Sequence, residues 1–183
     1  MKKLSLKGKN TLKGLHLFFT CIWVGGATSL VLLNFLSHPA TGDEIYATNA
    51  AIKLIDDFVI IPGALGSLFT GLLLCWLTHW GFFKFNWINV KWVVTILQIL
   101  FGTFVLGPWV NGMEALSEVK RFFVLQDATY LHYKQMNLYF GLLQTLVLIL
   151  VVFISVFKPW GKRGKESGKK AAVANEQPLI YKK

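Results

Sequence analysis

Four long apolar segments, separated by polar intervals, dominate the chain. They cover about residues 15–36, 58–78, 88–110 and 137–157. Each is close to the ~20 residues that a helix needs to cross a hydrocarbon core roughly 30 Å thick. A backbone in lipid must satisfy its own hydrogen-bonding groups, and a helix does so within one segment. The pattern therefore predicts an all-α integral membrane four-helix bundle.

The polar intervals set the predicted domain organisation around one membrane domain, residues 14–157. Residues 1–13 are basic and are expected to lie against anionic headgroups. Residues 111–136 are amphipathic, which predicts either helical extensions of the third and fourth spans or a helix on the outer surface. The Lys-, Gly- and Ser-rich tail, residues 158–183, is expected to be disordered.

Composition agrees with a membrane protein, and the distribution of charge predicts its orientation. The chain is 54% hydrophobic and carries a net charge of +10. Basic residues concentrate near the two termini and between the second and third spans, whereas acidic residues concentrate in the other two loops. This asymmetry predicts that both termini are cytoplasmic, and it argues against nucleic acid as the partner of the basic charge. The acidic residues of those two loops are Asp43, Glu44, Asp56, Asp57, Glu114, Glu118 and Asp127.

Two polar stripes run along predicted spans. His16, Thr20 and Trp23 share one face of the first span, and Lys91, Thr95 and Gln98 share one face of the third. Ionisable residues inside a span are expensive and point to function by default. Counted from the same membrane side, His16 and Lys91 lie at one depth, close to His79 at the end of the second span. We expect both stripes to face the bundle interior.

A neutral imidazole inside a helical bundle is a common axial ligand of b-type haem. The sequence therefore nominates His16 as ligand to a haem iron, and Lys91 as a partner for a porphyrin carboxylate, a second ligand or a proton carrier. His16 and Lys91 are also the candidate catalytic residues. The remaining candidates are cofactor-binding Trp23, Thr95 and Gln98, and His79 as a further metal ligand. The chain has no Cys-x-x-Cys-His motif, which excludes covalent c-type attachment.

Simpler interpretations of the same residues stay open. The polar stripes could serve only helix packing, and Lys91 could extend its amine to the headgroups. Cys21 and Cys75 lie inside spans, where small buried hydrophobes are expected. Either cysteine could instead bind copper together with His16 or His79.

Short motifs in the spans carry a resemblance. Leu15-His16, Trp23-Val24-Gly25-Gly26 and Trp87-x3-Lys91 resemble HemJ-type protoporphyrinogen oxidases and CopD-like copper-resistance domains. Ile61-Pro62-Gly63 and Leu106-Gly107-Pro108-Trp109 are similar to an uncharacterised family of four-span bacterial proteins with a domain of unknown function. The arginine that HemJ-type proteins carry after the tryptophan is absent, and Asn34 stands nearby.

The HemJ resemblance implies a haem b or porphyrin site in a bacterial inner membrane protein. His16, Trp23 and Lys91 would take the positions of the family's histidine, tryptophan and lysine. An oxidoreductase of this kind would pass electrons to the respiratory chain or a quinone, and it could be a homo-oligomer. The alternative from another class is a non-enzymatic membrane protein: a copper-handling or transport component, or an assembly partner.

Overall fold

A computed structural model describes residues 4–78 and 80–160, and the secondary-structure elements in these ranges are all helices. Two π turns each join consecutive helices. Asp56–Ile60 connects the helix Gly42–Ile55 to the helix Ile61–Leu77, and Gly102–Leu106 connects the helix Asn86–Phe101 to the helix Gly107–Lys120. A 3-10 segment, Arg121–Gln126, precedes the last helix. The helices are α1 (Leu6–Leu36), α2 (Gly42–Ile55), α3 (Ile61–Leu77), α4 (Asn86–Phe101), α5 (Gly107–Lys120) and α6 (Ala128–Phe157).

Four helical stretches are long and apolar enough to cross a membrane: Leu6–Leu36, Gly42–Leu77, Asn86–Gln126 and Ala128–Phe157. This confirms the prediction of an all-helical chain with four spans. The helices are longer than the predicted spans, and the 31 residues of α1 extend about 46 Å at the usual rise of an α-helix. The bundle therefore projects beyond a hydrocarbon core. We call the end near residues 6, 77, 86 and 157 the terminal end, and the opposite end the distal end.

The distal end forms a cap with a core like that of a water-soluble protein. Here α2 and α5 lie side by side, and the 3-10 segment and the start of α6 complete the packing. Met113 and Val124 are fully buried. Residues 111–136 thus extend the third and fourth spans, and α2 extends the second span back to Gly42. The buried cluster of the cap is Ile45, Ile52, Val110, Met113, Val124 and Tyr130.

Helix caps fix the two helices that begin at the distal end. Thr41 and Glu44 form a reciprocal capping box at the start of α2. Asp127 accepts a hydrogen bond from the backbone N–H of Tyr130 at the start of α6, 2.9 Å away. It also accepts one from Lys120. The hydrogen bond from Lys120, followed by those from the backbone, lowers the pKa of Asp127 below its usual range.

A proline explains each π turn. Pro62 and Pro108 lie just after the two turns, and a proline ring has no N–H and clashes with the carbonyl four residues earlier. The N–H groups of Ile61 and Gly107 instead reach the carbonyls five residues back, at Asp56 and Gly102. A proline inside a helix typically produces a kink, and here the wider turn accommodates Pro108 without ending the helix.

Helix α1 packs closely on α3 through glycines. A Cβ at Gly63 would lie 2.9 Å from the backbone nitrogen of Trp23, so only glycine permits this approach. The small-residue stripe that begins at Gly63 thus serves close packing, as its spacing predicts. On its other side α1 contacts α6, which in turn packs against α4. Two helix pairs result, α1 with α3 and α4 with α6, and they frame the site.

Candidate functional site

A cavity of about 430 Å³ lies between these two helix pairs in the terminal half of the bundle. Its volume falls within the range of about 300–1,000 Å³ typical of small-molecule sites. The walls are largely apolar and rich in tryptophan, with Trp23, Trp80, Trp87 and Trp92 all among the lining residues. Four of the predicted site residues meet here: His16, Trp23, Lys91 and Thr95.

A hydrogen bond to Thr70 on helix α3 positions the imidazole of His16. Its Nδ1 lies 3.0 Å from Oγ1 of Thr70, and that hydroxyl donates its single proton to the carbonyl of Gly66 at 2.6 Å. A Thr70 hydroxyl that donates to Gly66 accepts from the imidazole, and Nδ1 of His16 then carries the proton. In the neutral ring Nε2 is then unprotonated and has a lone pair available to a ligand. Histidines that bind metals are usually held in this way.

A second polar contact fixes the backbone below His16. Thr20 donates from Oγ1 to the carbonyl of His16 at 2.7 Å, and its oxygen lies 3.1 Å from Oγ of Ser67. Because the Thr20 proton is already used, Ser67 donates in this pair. Two side-chain contacts, His16–Thr70 and Thr20–Ser67, thus join α1 to α3 at the cavity wall. They fix the orientation of His16, which the sequence alone does not determine.

The charged residues that line the cavity are all basic. They are Lys13, Lys91 and Lys158, and none of the described lining residues is acidic. Lys91 lies 5.9 Å from the ring centre of Trp87, and Lys158 lies 4.8 Å from that of Trp80. Within the described ranges, Lys91 makes no salt bridge. An apolar cavity with uncompensated positive charge suits an amphipathic anion.

Trp23 closes the cavity on its distal side. Only 3% of its surface is exposed, and it packs with Ala64 and Leu148. Thr95 is on the same cavity wall as Lys91, one helical turn further along α4. The stripe predicted on α4 therefore lines the cavity only as far as the level of Trp23.

Gln98, one turn beyond Thr95, lies outside the cavity lining and holds α4 to α6. Its Nε2 donates to the carbonyl of Gln144 at 2.9 Å, and Nε2 of Gln144 donates to the carbonyl of Gln98 at 3.1 Å. The structure thus gives Gln98 a packing contact between α4 and α6, and its role beside a cofactor stays a prediction.

The remaining candidate ligands are not brought together. His79 lies outside the described residues. Cys75 is buried and lines the cavity, whereas Cys21 is exposed on the outside of the bundle. Residues 4–78 and 80–160 contain no group of three or more histidine, cysteine or acidic side chains that could hold a metal ion. The two cysteines therefore do not share a site, whereas Cys75 lines the same cavity as His16, and copper binding by such a pair stays a prediction.

Sequence reasoning missed two of the cavity lysines. Lys13 and Lys158 were assigned to the N-terminal segment and the tail, yet both line the cavity. For Lys13 a signal existed, because it lies three residues before His16 and a helix that starts at Leu6 places both on one face. For Lys158 the sequence offered none: it adopts a left-handed backbone conformation after α6, with φ 49°. Its position depends on the end of that helix.

Fold and site together define a four-span integral membrane protein with a basic, tryptophan-lined cavity in one half of its bundle. Residues 10–159 match the model of the family described as "Predicted integral membrane protein (DUF2269)". The chain belongs to this family. No curated protein and no solved structure matches the chain.

Proposed function

We propose that this membrane protein binds haem b or a related porphyrin in the terminal cavity, with His16 as the ligand to iron. The observation that carries the proposal is the contact between Nδ1 of His16 and Oγ1 of Thr70, because a proton on Nδ1 leaves the lone pair of Nε2 available. A fixed, neutral imidazole in an apolar helical bundle suits haem iron. When bound, haem would supply an iron centre that gains and loses one electron.

The rest of the cavity fits such a ligand in chemistry. A porphyrin has a flat apolar ring and carboxylate groups. Tryptophan side chains such as Trp87 and Trp92 offer apolar faces for the ring, and Lys13, Lys91 and Lys158 offer positive charge to the carboxylates. Lysine acts here as a point charge, so the missing arginine of the HemJ-type pattern is not essential for binding. We place Trp23 and Thr95 at the distal wall of the site.

The ligand can be tested by absorption spectroscopy. The protein is produced with haem supplied, purified in mild detergent, and its spectrum is recorded in the oxidised and reduced states. We expect a Soret band at near-stoichiometric intensity, and we expect His16→Ala to lose or strongly shift it. His132→Ala is the matched control, because His132 is an exposed histidine of the distal end and its removal should leave the spectrum unchanged.

Wild-type protein without a Soret band, or an unchanged spectrum in His16→Ala, would contradict the proposal. Circular dichroism of each variant checks that the helices remain. A co-purifying protein without a chromophore would instead favour the assembly-partner alternative.

Beyond haem binding, we propose that the protein is an oxidoreductase of a bacterial inner membrane, with a quinone or a respiratory-chain component as its electron acceptor. Lys91 supports it, because an amine without an acidic partner can give or take a proton beside the ligand. The test is whether a quinol reduces the haem-loaded protein and whether Lys91→Met slows that reduction while retaining the Soret band. A rate equal to that of free haem in detergent would overturn the redox role.

A further inference from the structure

A second, smaller chamber lies on the distal side of Trp23. Its volume is about 70 Å³, room for about two water molecules at the volume each occupies in the liquid. Trp23 and Leu148 line both the chamber and the terminal cavity. These two apolar side chains therefore lie between the chamber and the terminal cavity and separate them.

The chamber has the polar groups that hold water. Asn34 donates from Nδ2 to Oδ1 of Asn137 at 2.8 Å, with both residues buried in its wall. Gln144 also lines it, and the side-chain oxygen of this buried amide has no hydrogen-bond partner in the structure. Thr145 adds a hydroxyl. Ordered water in such a site typically satisfies otherwise unpaired polar atoms.

Asp56 is the acidic residue among the described residues that line the chamber. It opens the first π turn, lines the chamber and is half-buried. Its charged neighbours are Lys53 on α2 and Asp57 in the same turn, but Nζ of Lys53 donates to Asp57 at 2.9 Å and to Asn111 at 2.8 Å. The carboxylate of Asp56 is left without an ion pair in the described ranges. The adjoining parts of α1 and α3 contribute no charged side chain.

We propose that Asp56 and this chamber form a proton path from the distal surface toward the terminal cavity, and that Trp23 and Leu148 are its barrier. A proton passes from bulk water to the carboxylate of Asp56 and from there to chamber water, and no electron is transferred. Transfer past the barrier requires movement of one of its two apolar side chains. The path is independent of what occupies the terminal cavity.

Proton flux into liposomes tests the path. The protein without added haem is reconstituted with a pH-sensitive dye inside the vesicles, and a potassium gradient with valinomycin drives protons inward. We expect the wild type to stay near the rate of empty vesicles because the barrier is closed. Leu148→Ala should raise the rate several-fold, and Leu148→Ala with Asp56→Asn should return it to the wild-type level.

Two matched variants control this result. Leu150→Ala makes the same truncation on an exposed face of α6 and should leave the flux low. Asp57→Asn in the Leu148→Ala background removes the neighbouring carboxylate, which Lys53 already pairs, and should leave the flux high. An unraised rate in Leu148→Ala, or equal effects of Asp56→Asn and Asp57→Asn, would overturn the path.

Infrared spectroscopy tests the hydrated chamber with the barrier intact. As the pH is lowered, the wild type should develop a protonated carboxyl band that Asp56→Asn lacks, and this band should shift within seconds of exchange into D2O. A band that resists exchange would overturn the proposal. Asp56→Asn should keep the Soret band of the haem-loaded protein, so failure of the path and failure of haem binding are distinguishable.

Discussion

At the scale of single residues, the structure shows how the side chain of His16 is oriented inside its span. The sequence marked His16 because an ionisable residue in a span is costly, but it did not fix the direction of the ring. Thr70, 54 positions later in the chain, fixes that direction through its hydrogen bond with Nδ1. The polar partner belongs to another helix, so the spacing of residues along α1 could not reveal it.

Gly63 offers a test of the close approach between α1 and α3. A Cβ added there would lie 2.9 Å from the backbone nitrogen of Trp23, and a backbone atom cannot move aside cheaply. We expect Gly63→Ala to lower the free energy of unfolding by about 1–3 kcal/mol, the usual cost of overpacking, measured by denaturation in detergent.

Gly25→Ala is the control for this prediction. It makes the same change on α1, two residues after Trp23, at a position where a Cβ would meet nothing within 4 Å. Alanine is favoured over glycine in a helix by roughly 0.5–1 kcal/mol, so this variant should be neutral or slightly more stable. Equal losses in both variants would contradict the packing argument.

At the scale of helices, polar contacts decide which faces meet. Asn137, Gly141 and Gln144 share one face of the fourth span, and all three residues line the chamber beyond Trp23. The residues of the stripe on the third span lie in two different environments. Thr95 lines the terminal cavity, whereas Gln98 forms a hydrogen bond with α6. The spacing of polar residues predicts which face of a helix points inward. Which residue of a neighbouring helix each inward side chain contacts depends on how the helices pack.

The buried pair Asn34–Asn137 should couple α1 to α6. Replacing either residue by alanine leaves the other amide buried without its partner, which costs about 1–3 kcal/mol. Removing both should cost less than the sum of the single changes. A double-mutant cycle of unfolding free energies measures this coupling, which averages about 0.6 kcal/mol between spans; strict additivity would show that the hydrogen bond contributes nothing.

At the scale of the whole molecule, charge is divided between the two ends. The acidic residues of the described ranges lie in the distal half, whereas the lysines of the cavity lie in the terminal half. The division gives the cavity its uncompensated positive charge. It also carries the prediction of orientation, because basic residues are retained on the cytoplasmic side.

Reporter fusions test that orientation. A fluorescent protein fused after Lys183 should fluoresce, and alkaline phosphatase at the same site should be inactive, since both termini are expected in the cytoplasm. Insertion of each reporter after Gln126, in the 3-10 segment of the distal cap, should give the reverse pattern. The opposite result at both sites would invert the predicted topology.

The sequence by itself determined the four spans, their inward faces and residues such as His16 and Lys91 that line the cavity. It could do so because lipid forces every backbone polar group into a helix, and because helical spacing places residues on one face. The haem ligand and the cytoplasmic termini remain predictions.

Only the tertiary structure decided where the interior is divided. Trp23 and Leu148 come from distant parts of the chain and meet to separate two chambers. Lys158 joins the cavity because α6 ends beside Trp80, and Asp56 lines the chamber from the π turn that precedes α3. Such contacts depend on the packing of whole helices against one another, which no local pattern encodes.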